Sequence, residues 1–104
     1  MEIYNRFLKL ASEHVIETRQ LNFYSQKIGV SKKHLSETIK KVSGKPSSKV
    51  LNEFLLLEAK VLLNESNKTI EAISYYLNFN DSSAFNKFFK RHTGMTPKKY
   101  QKNF

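Results

Sequence analysis

Two short series of polar side chains recur fifty positions apart: Lys33, Ser36, Glu37 and Lys40, then Ser83, Asn86, Lys87 and Lys90. Within each series the members stand at i, i+3, i+4 and i+7, the spacing that puts side chains on one face of an α-helix. Ammonium, amide and hydroxyl groups on such a face form a donor-rich strip. It has the reach to meet phosphate oxygens and the base edges exposed in a duplex major groove. Lys32 and Ser82 stand one residue ahead of the strips and extend them. Asn86 matches the N6/N7 edge of adenine, and Glu37 can accept from a cytosine amino group. A row of lysines is ordinarily a solvated helix face, and Glu37 can equally pair with Lys33 or Lys41 one turn away. The recurrence of the whole strip favours the binding reading.

Other chemistry finds little support. The chain has no cysteine, and His14, His34 and His92 are far apart, which argues against a metal site. Glu13 and Glu17 lie one turn apart on the first helix with no paired histidine or phosphate loop. Three glycines cannot form a Gly-rich cradle, and no nucleophile stands beside a base. The expectation is a protein without catalytic activity, cofactor or metal.

The strips need elements to hold them, and the chain reads as all helical, with about seven helices. "YNRFLKLASEHVIE" carries Phe7, Leu8, Ala11 and Val15 at helical spacing. "LNFYSQKI" is a short helix ending at Gly29, and Ser31 caps the next, whose apolar line is Leu35, Ile39 and Val42. Gly44 stops it. Ser47 or Ser48 starts the longest helix, which leaves through Asn64–Asn67. Thr69 caps "IEAISYYL", and Asp81 or Ser82 caps the helix of the second strip, ended by Gly94. Pro97 suits the first turn of a last short helix. Phe85, Phe88 and Phe89 are the buried stripe behind the second strip, and Tyr75 and Tyr76 are expected to pack within their lobe.

Residues 20–30 align with 69–79 at an offset of 49: Leu21 with Ile70, Tyr24 with Ile73, Ser25 with Ser74, Ile28 with Leu77, Gly29 with Asn78. Beyond the turn the offset is 50, pairing Leu35 with Phe85, Ile39 with Phe89 and Gly44 with Gly94. Each copy is a short helix, a tight turn and a longer basic helix, the helix-turn-helix pattern written twice. Ser25 and Ser74 stand where the two helices cross and a small side chain allows close approach. The lobes expected are 1–46 and 68–104, joined by a bridging helix over 47–67.

The charge follows the same division. The formal net charge is +9. Residues 21–46 hold six lysines and one acid, and residues 69–104 hold six cations and two acids, while 1–20 and 47–68 each balance to zero. The surplus sits in the two segments that carry the strips, as polyanion binding requires. No apolar run approaches the roughly 20 residues of a membrane span, and "MEIYNRFLKL" has no signal-peptide pattern. A cytoplasmic, nucleoid-associated protein fits. A helical module docking an acidic partner, and a basic RNA binder, remain the alternatives; single-strand recognition wants exposed aromatics, and here they lie on the buried stripes.

The runs "GVSKKHLSETIKKVSGKPSSKVL", "LEAKVLLNES" and "TIEAISYYLNFNDSSAFNKFFKRHTGMTPKKY" resemble the DNA-binding domain of AraC/XylS-family bacterial transcription regulators over roughly residues 5–103. The resemblance implies two helix-turn-helix lobes bridged by one long helix, with both reading helices entering successive major grooves of double-stranded DNA. A bridge of roughly 18 residues spans about 27 Å at about 1.5 Å per residue, against about 34 Å between successive grooves. Lys32, Lys33, Ser36 and Glu37 would read bases in one groove and Ser82, Ser83, Asn86 and Lys87 in the next. Ser31, Lys40, Thr69 and Lys90 would hold phosphates, Ser31 and Thr69 alongside their capping roles.

RNA polymerase and an N-terminal sensor or dimerisation domain are the further partners the resemblance suggests, with no membrane association. The chain is then either a small complete regulator or a C-terminal piece. It departs from the family pattern at Glu37 and Leu55, where arginine is common, at Asn78 for a glycine, and at Ser25 and Ser74 for alanines. Glu37 near a phosphate would repel, so the second strip, which keeps Lys87, carries more of the expectation.

Overall fold

The computed structural model describes residues 2–65 and 67–102, the last of these by its backbone only. Met1, Ser66, Asn103 and Phe104 lie outside the described residues, and with them the outermost positions of the expected lobes and part of the expected exit at Asn64–Asn67. The described residues form seven helices and no strand: α1 (Glu2–His14), α2 (Leu21–Ile28), α3 (Lys32–Ser43), α4 (Ser47–Glu65), α5 (Ile70–Tyr76), α6 (Ser82–Thr93) and α7 (Pro97–Lys102). The all-helical expectation is borne out. The chain divides into two compact units, Met1–Phe54 and Leu55–Phe104, and the division falls inside α4.

In the first unit, α1, α2 and α3 pack against one another. Each contributes the residues its periodicity marks. Phe7, Ala11 and Val15 come from α1 and the residue following it, Tyr24 and Ile28 from α2, and Leu35 and Ile39 from α3; Val50 and Leu51 at the start of α4 complete this core. The Phe7 and Tyr24 rings meet edge to face, centroids 5.5 Å apart, a favoured aromatic geometry.

The second unit repeats the plan with its buried phenylalanines on α6 rather than on its first helix. Leu55, Ala59 and Leu63 of α4 are buried in this unit, as are Ile73, Leu77, Phe85 and Phe89, and the Phe89 ring meets Tyr100 of α7 at 5.2 Å. The spacing of Phe7, Ala11 and Val15 therefore recurs in Leu55, Ala59 and Leu63, four residues per step in both. Burying a phenylalanine side chain contributes about 1.5–3 kcal/mol, so Phe85 and Phe89 are the largest single contributions on their helix. Phe88 lies at the edge of that stripe, only partly buried, against Phe79 and His92.

Start and stop signals fall where the side chains require. Ser31 Oγ accepts the N–H of His34 at 3.0 Å, Thr69 Oγ1 that of Ala72 at 3.1 Å, and Asp81 Oδ1 that of Ala84 at 2.8 Å. Each satisfies one of the orphan donors of a helix N-terminus. The two helix-turn-helix turns need one residue with positive φ: Gly29 at 88° in the first and Asn78 at 66° in the second. Asn is among the few side chains that enter this region readily.

Past α3 and α6 the chain is hooked in the same way. Ser43 Oγ donates to the Ile39 carbonyl at 2.6 Å and accepts the Lys45 N–H at 3.1 Å. Thr93 Oγ1 donates to the Phe89 carbonyl at 2.8 Å and accepts the Met95 N–H at 3.3 Å. These hooks tie the residues leading into α4 and α7 to the last turns of α3 and α6.

One packing expectation is corrected. Tyr75 and Tyr76 do not pack within their unit: they are 84% and 53% exposed. α5 is only two turns long, and its inward face is used up by Ile73 and Ser74, with Leu77 just beyond. The adjacent positions must therefore face outward. Tyr76 receives the Lys68 ammonium over its ring, 5.4 Å from the centroid.

Candidate nucleic-acid interface

The strip on α3 is set by what lies behind it. With Leu35 and Ile39 buried, Lys32, Lys33, Glu37 and Lys40 are exposed and Ser36 is half-buried. The strip on α6 follows the same rule: Phe85 and Phe89 are buried, Ser83, Lys87 and Lys90 are exposed, and Ser82 and Asn86 are half-buried. α3 and α6 thus each have an apolar back and a polar front, as the spacing predicted.

In the first unit Lys32, Lys33, Ser36 and Glu37 line one open cavity of about 770 Å³. Arg19, Leu21, Ser47, Ser48 and Leu51 complete its wall. Leu21, Lys32 and Ser47 are the first residues of α2, α3 and α4, so the N-terminal ends of three helices gather around it, a favourable field for anions. The lining carries three cations, Arg19, Lys32 and Lys33, against Glu37 alone. Among the described residues Glu37 makes no ion pair with Lys33 or Lys41, so it adds its charge to the cavity uncompensated by a direct partner.

The second unit has a counterpart of about 550 Å³, lined by Ser82, Asn86 and Thr69 of the expected residues, with Ile70, Glu71, Thr96, Lys98 and Gln101. Lys98 and Glu71 are its charged members, so this cavity is amide- and hydroxyl-rich where the first is basic. Gln101 is held by donating from Nε2 to the Leu63 carbonyl at 3.4 Å. Ser83, Lys87 and Lys90 lie outside this lining, farther round or along the exposed face of α6.

Two phosphate candidates differ between copies. Lys40 Nζ donates to the Gly44 carbonyl at 3.3 Å and so also closes the C-terminal end of α3. Lys90, its repeat mate, makes no such bond among the described residues. Ser31 is exposed and engaged as a cap, as is Thr69. No group of three or more His, Asp or Glu side chains able to hold a metal is gathered among the described residues. None of the helices is long and apolar enough to cross a membrane.

Sequence reasoning missed Arg19, Ser47 and Ser48 in the first cavity, and Thr96, Lys98 and Gln101 in the second. The repeat itself held the signal. Continued past Gly44 and Gly94 at the same offset, it pairs Pro46 with Thr96, Ser48 with Lys98 and Leu51 with Gln101. Arg19 pairs with Lys68 at the earlier offset.

This doubled arrangement of a small helix, a turn and a longer exposed helix defines a helix-turn-helix protein. The family pattern described as a helix-turn-helix domain matches residues 24–103, and the chain belongs to that family. Its fold is that of solved AraC-type DNA-binding domains, as the resemblance implied. It is 35% identical over 68 residues to the uncharacterized helix-turn-helix transcriptional regulator YobQ of Bacillus subtilis, covering 65% of this chain and 28% of the relative.

Among solved structures it is similar to an AraC-type transcriptional regulator from Chromobacterium violaceum, with TM-score 0.90, 22% identity, and 98% and 91% of the two chains covered. It is also similar to the DNA-binding domain of AdpA in complex with a target DNA, with TM-score 0.85, 19% identity, and 96% and 90% covered. The chain spans 28%, 27% and 34% of the lengths of the first curated relatives it matches.

Proposed function

We propose that this chain binds double-stranded DNA in a sequence-specific manner, as the DNA-reading part of a bacterial transcription regulator. The observation that carries the reading is the pair of matched strips, each exposed on a helix whose opposite face is buried in its own core. The reading helices α3 and α6 enter successive major grooves. Lys32, Lys33, Ser36 and Glu37 meet base edges in one groove, and Ser82, Ser83, Asn86 and Lys87 in the next.

Ser31, Lys40, Thr69 and Lys90 meet phosphates and supply salt-sensitive affinity that is common to all sequences. The more basic first cavity favours it as the lobe with the steeper electrostatic contribution; the amide-rich second favours base discrimination. RNA polymerase and a sensing or dimerising domain are the further partners this role implies, in the bacterial cytoplasm.

Titration of a duplex pool, a single-stranded RNA and an acidic protein at two salt concentrations tests the reading. Tight, salt-sensitive binding that enriches particular duplex sequences is the expected result. Equal affinity for RNA, or capture of the acidic protein alone, overturns it. Footprinting on an enriched duplex should show two protected segments about one helical turn apart.

A further inference from the structure

Arg19 follows α1 in the turn that leads into α2, outside every strip that periodicity can mark. Its Nη1 donates to Asn52 Oδ1 at 2.7 Å, a bond that ties this turn to α4 across 33 residues. A guanidinium is planar with its donors in a fixed fork, so a bond at one nitrogen sets the plane of the whole group. That group lines the cavity shared by Lys32, Lys33, Ser36 and Glu37.

We propose that Arg19 is a phosphate-contacting residue of the first lobe, and that Asn52 is the residue that positions it. The proposal rests on the DNA-binding reading above and deepens it by naming a contact outside the reading helix.

Three observations support it. The residue is exposed, so a strand can approach it. Neighbouring groups desolvate the guanidinium enough to lower its pKa from the usual arginine value, which raises the gain from meeting an anion. The bond at Nη1 also uses a neutral partner, so Asn52 fixes direction without itself placing a negative charge there. In the second lobe the repeat mate, Lys68, places its ammonium over the Tyr76 ring. At this position of the repeat, the fork geometry suited to phosphate therefore belongs to the first lobe.

The test uses the full chain and a duplex recovered by selection from a random-sequence pool. Arg19→Gln keeps a donor for Asn52 and removes the charge, so the fold is preserved while the phosphate contact is lost. Its affinity should fall about tenfold at moderate salt, and the slope of log affinity against log salt should shrink by about 0.9. A neutral methylphosphonate scanned along the duplex should find one position that weakens the wild-type chain and leaves Arg19→Gln unaffected. Asn52→Asp, which keeps Arg19 but pairs its charge, should also lose affinity, with its thermal unfolding unchanged or raised.

Unchanged affinity and salt slope in Arg19→Gln, with the wild-type chain still selecting its duplex, would overturn the inference alone. A methylphosphonate scan with no position specific to Arg19 would do the same. A wild-type chain that selects no duplex would remove the DNA-binding reading itself.

Discussion

Ser25 and Ser74 hold the same post in two turns. The carbonyl of each accepts the N–H of the residue five positions on, Val30 in one unit and Phe79 in the other, both at 3.0 Å. Both side chains are buried, and each hydroxyl donates back to its own helix: Ser25 to the Asn22 carbonyl at 3.1 Å, Ser74 to the Ile70 carbonyl at 2.8 Å. The hydroxyl is thus satisfied locally, and what the position demands is small size. Ser74→Ala should change stability by less than about 1 kcal/mol, whereas Ser74→Leu should cost about 1–3 kcal/mol by overpacking. Urea unfolding followed by circular dichroism measures both.

Gly44 and Gly94 end the two reading helices with φ of 76° and 83°, and a Cβ at either would meet nothing within 4 Å. Space is therefore not the constraint; backbone conformation is. Gly94→Ala should cost about 1–2 kcal/mol, and Gly94→Asn distinctly less, because Asn tolerates that region. The difference in urea midpoint between the two variants reads this directly. Equal costs would mean that sterics, not φ, set the requirement.

Asn86 and Lys90 lie on the same helix, and in the proposed function one meets a base edge and the other a phosphate. Asn86→Ala should cost about 1–3 kcal/mol on the best duplex and relax preference at one base pair. Lys90→Ala should weaken all duplexes by a similar factor and flatten the salt slope by about one contact. Binding to a panel of single-base variants of the selected duplex, at two salt concentrations, separates them. Uniform loss across the panel for both would remove the base-reading role from Asn86.

Tyr24 Oη donates to the Thr18 carbonyl at 2.7 Å. Burial first, and the nearby charge of Glu17 second, push its pKa up to about 12 from the ordinary tyrosine value of 10.0. The folded state holds the proton that the unfolded chain releases near pH 10. The resulting stability is complete below pH 10 and is lost as pH rises toward 12. Tyr24→Phe should cost about 1 kcal/mol at neutral pH through the lost hydrogen bond, and should lose less than the parent chain between pH 10 and 12. Urea midpoints at neutral pH and across that window test both statements.

Helix order, caps and strips were legible in the sequence because they depend on neighbours within two turns. Ser31, Thr69 and Asp81 act on amides three residues away, and Leu35–Ile39 or Phe85–Phe89 define a face by spacing alone. Other features were hidden for physical reasons. The match of Phe7, Ala11 and Val15 to Leu55, Ala59 and Leu63 is masked because α4 carries two apolar stripes in succession, with Val50 and Leu51 preceding the second. That makes α4 look oily on every side. Arg19 stands in a turn, where there is no period to read, and its role emerges only through Asn52. Tyr75 and Tyr76 sit on a helix too short for its pattern to say which aromatic faces in.

α4 serves the interior of each unit with a different half: Val50 and Leu51 in one, Leu55, Ala59 and Leu63 in the other. Cutting the chain in the loop before α4 would strip a wall from the first unit, and cutting after it would strip one from the second. A chain built this way does not recombine as two ready-made cassettes. Any graft that moves one reading helix into another scaffold must carry half of α4 with it, and the seam belongs in mid-helix, beside Phe54, rather than in a loop.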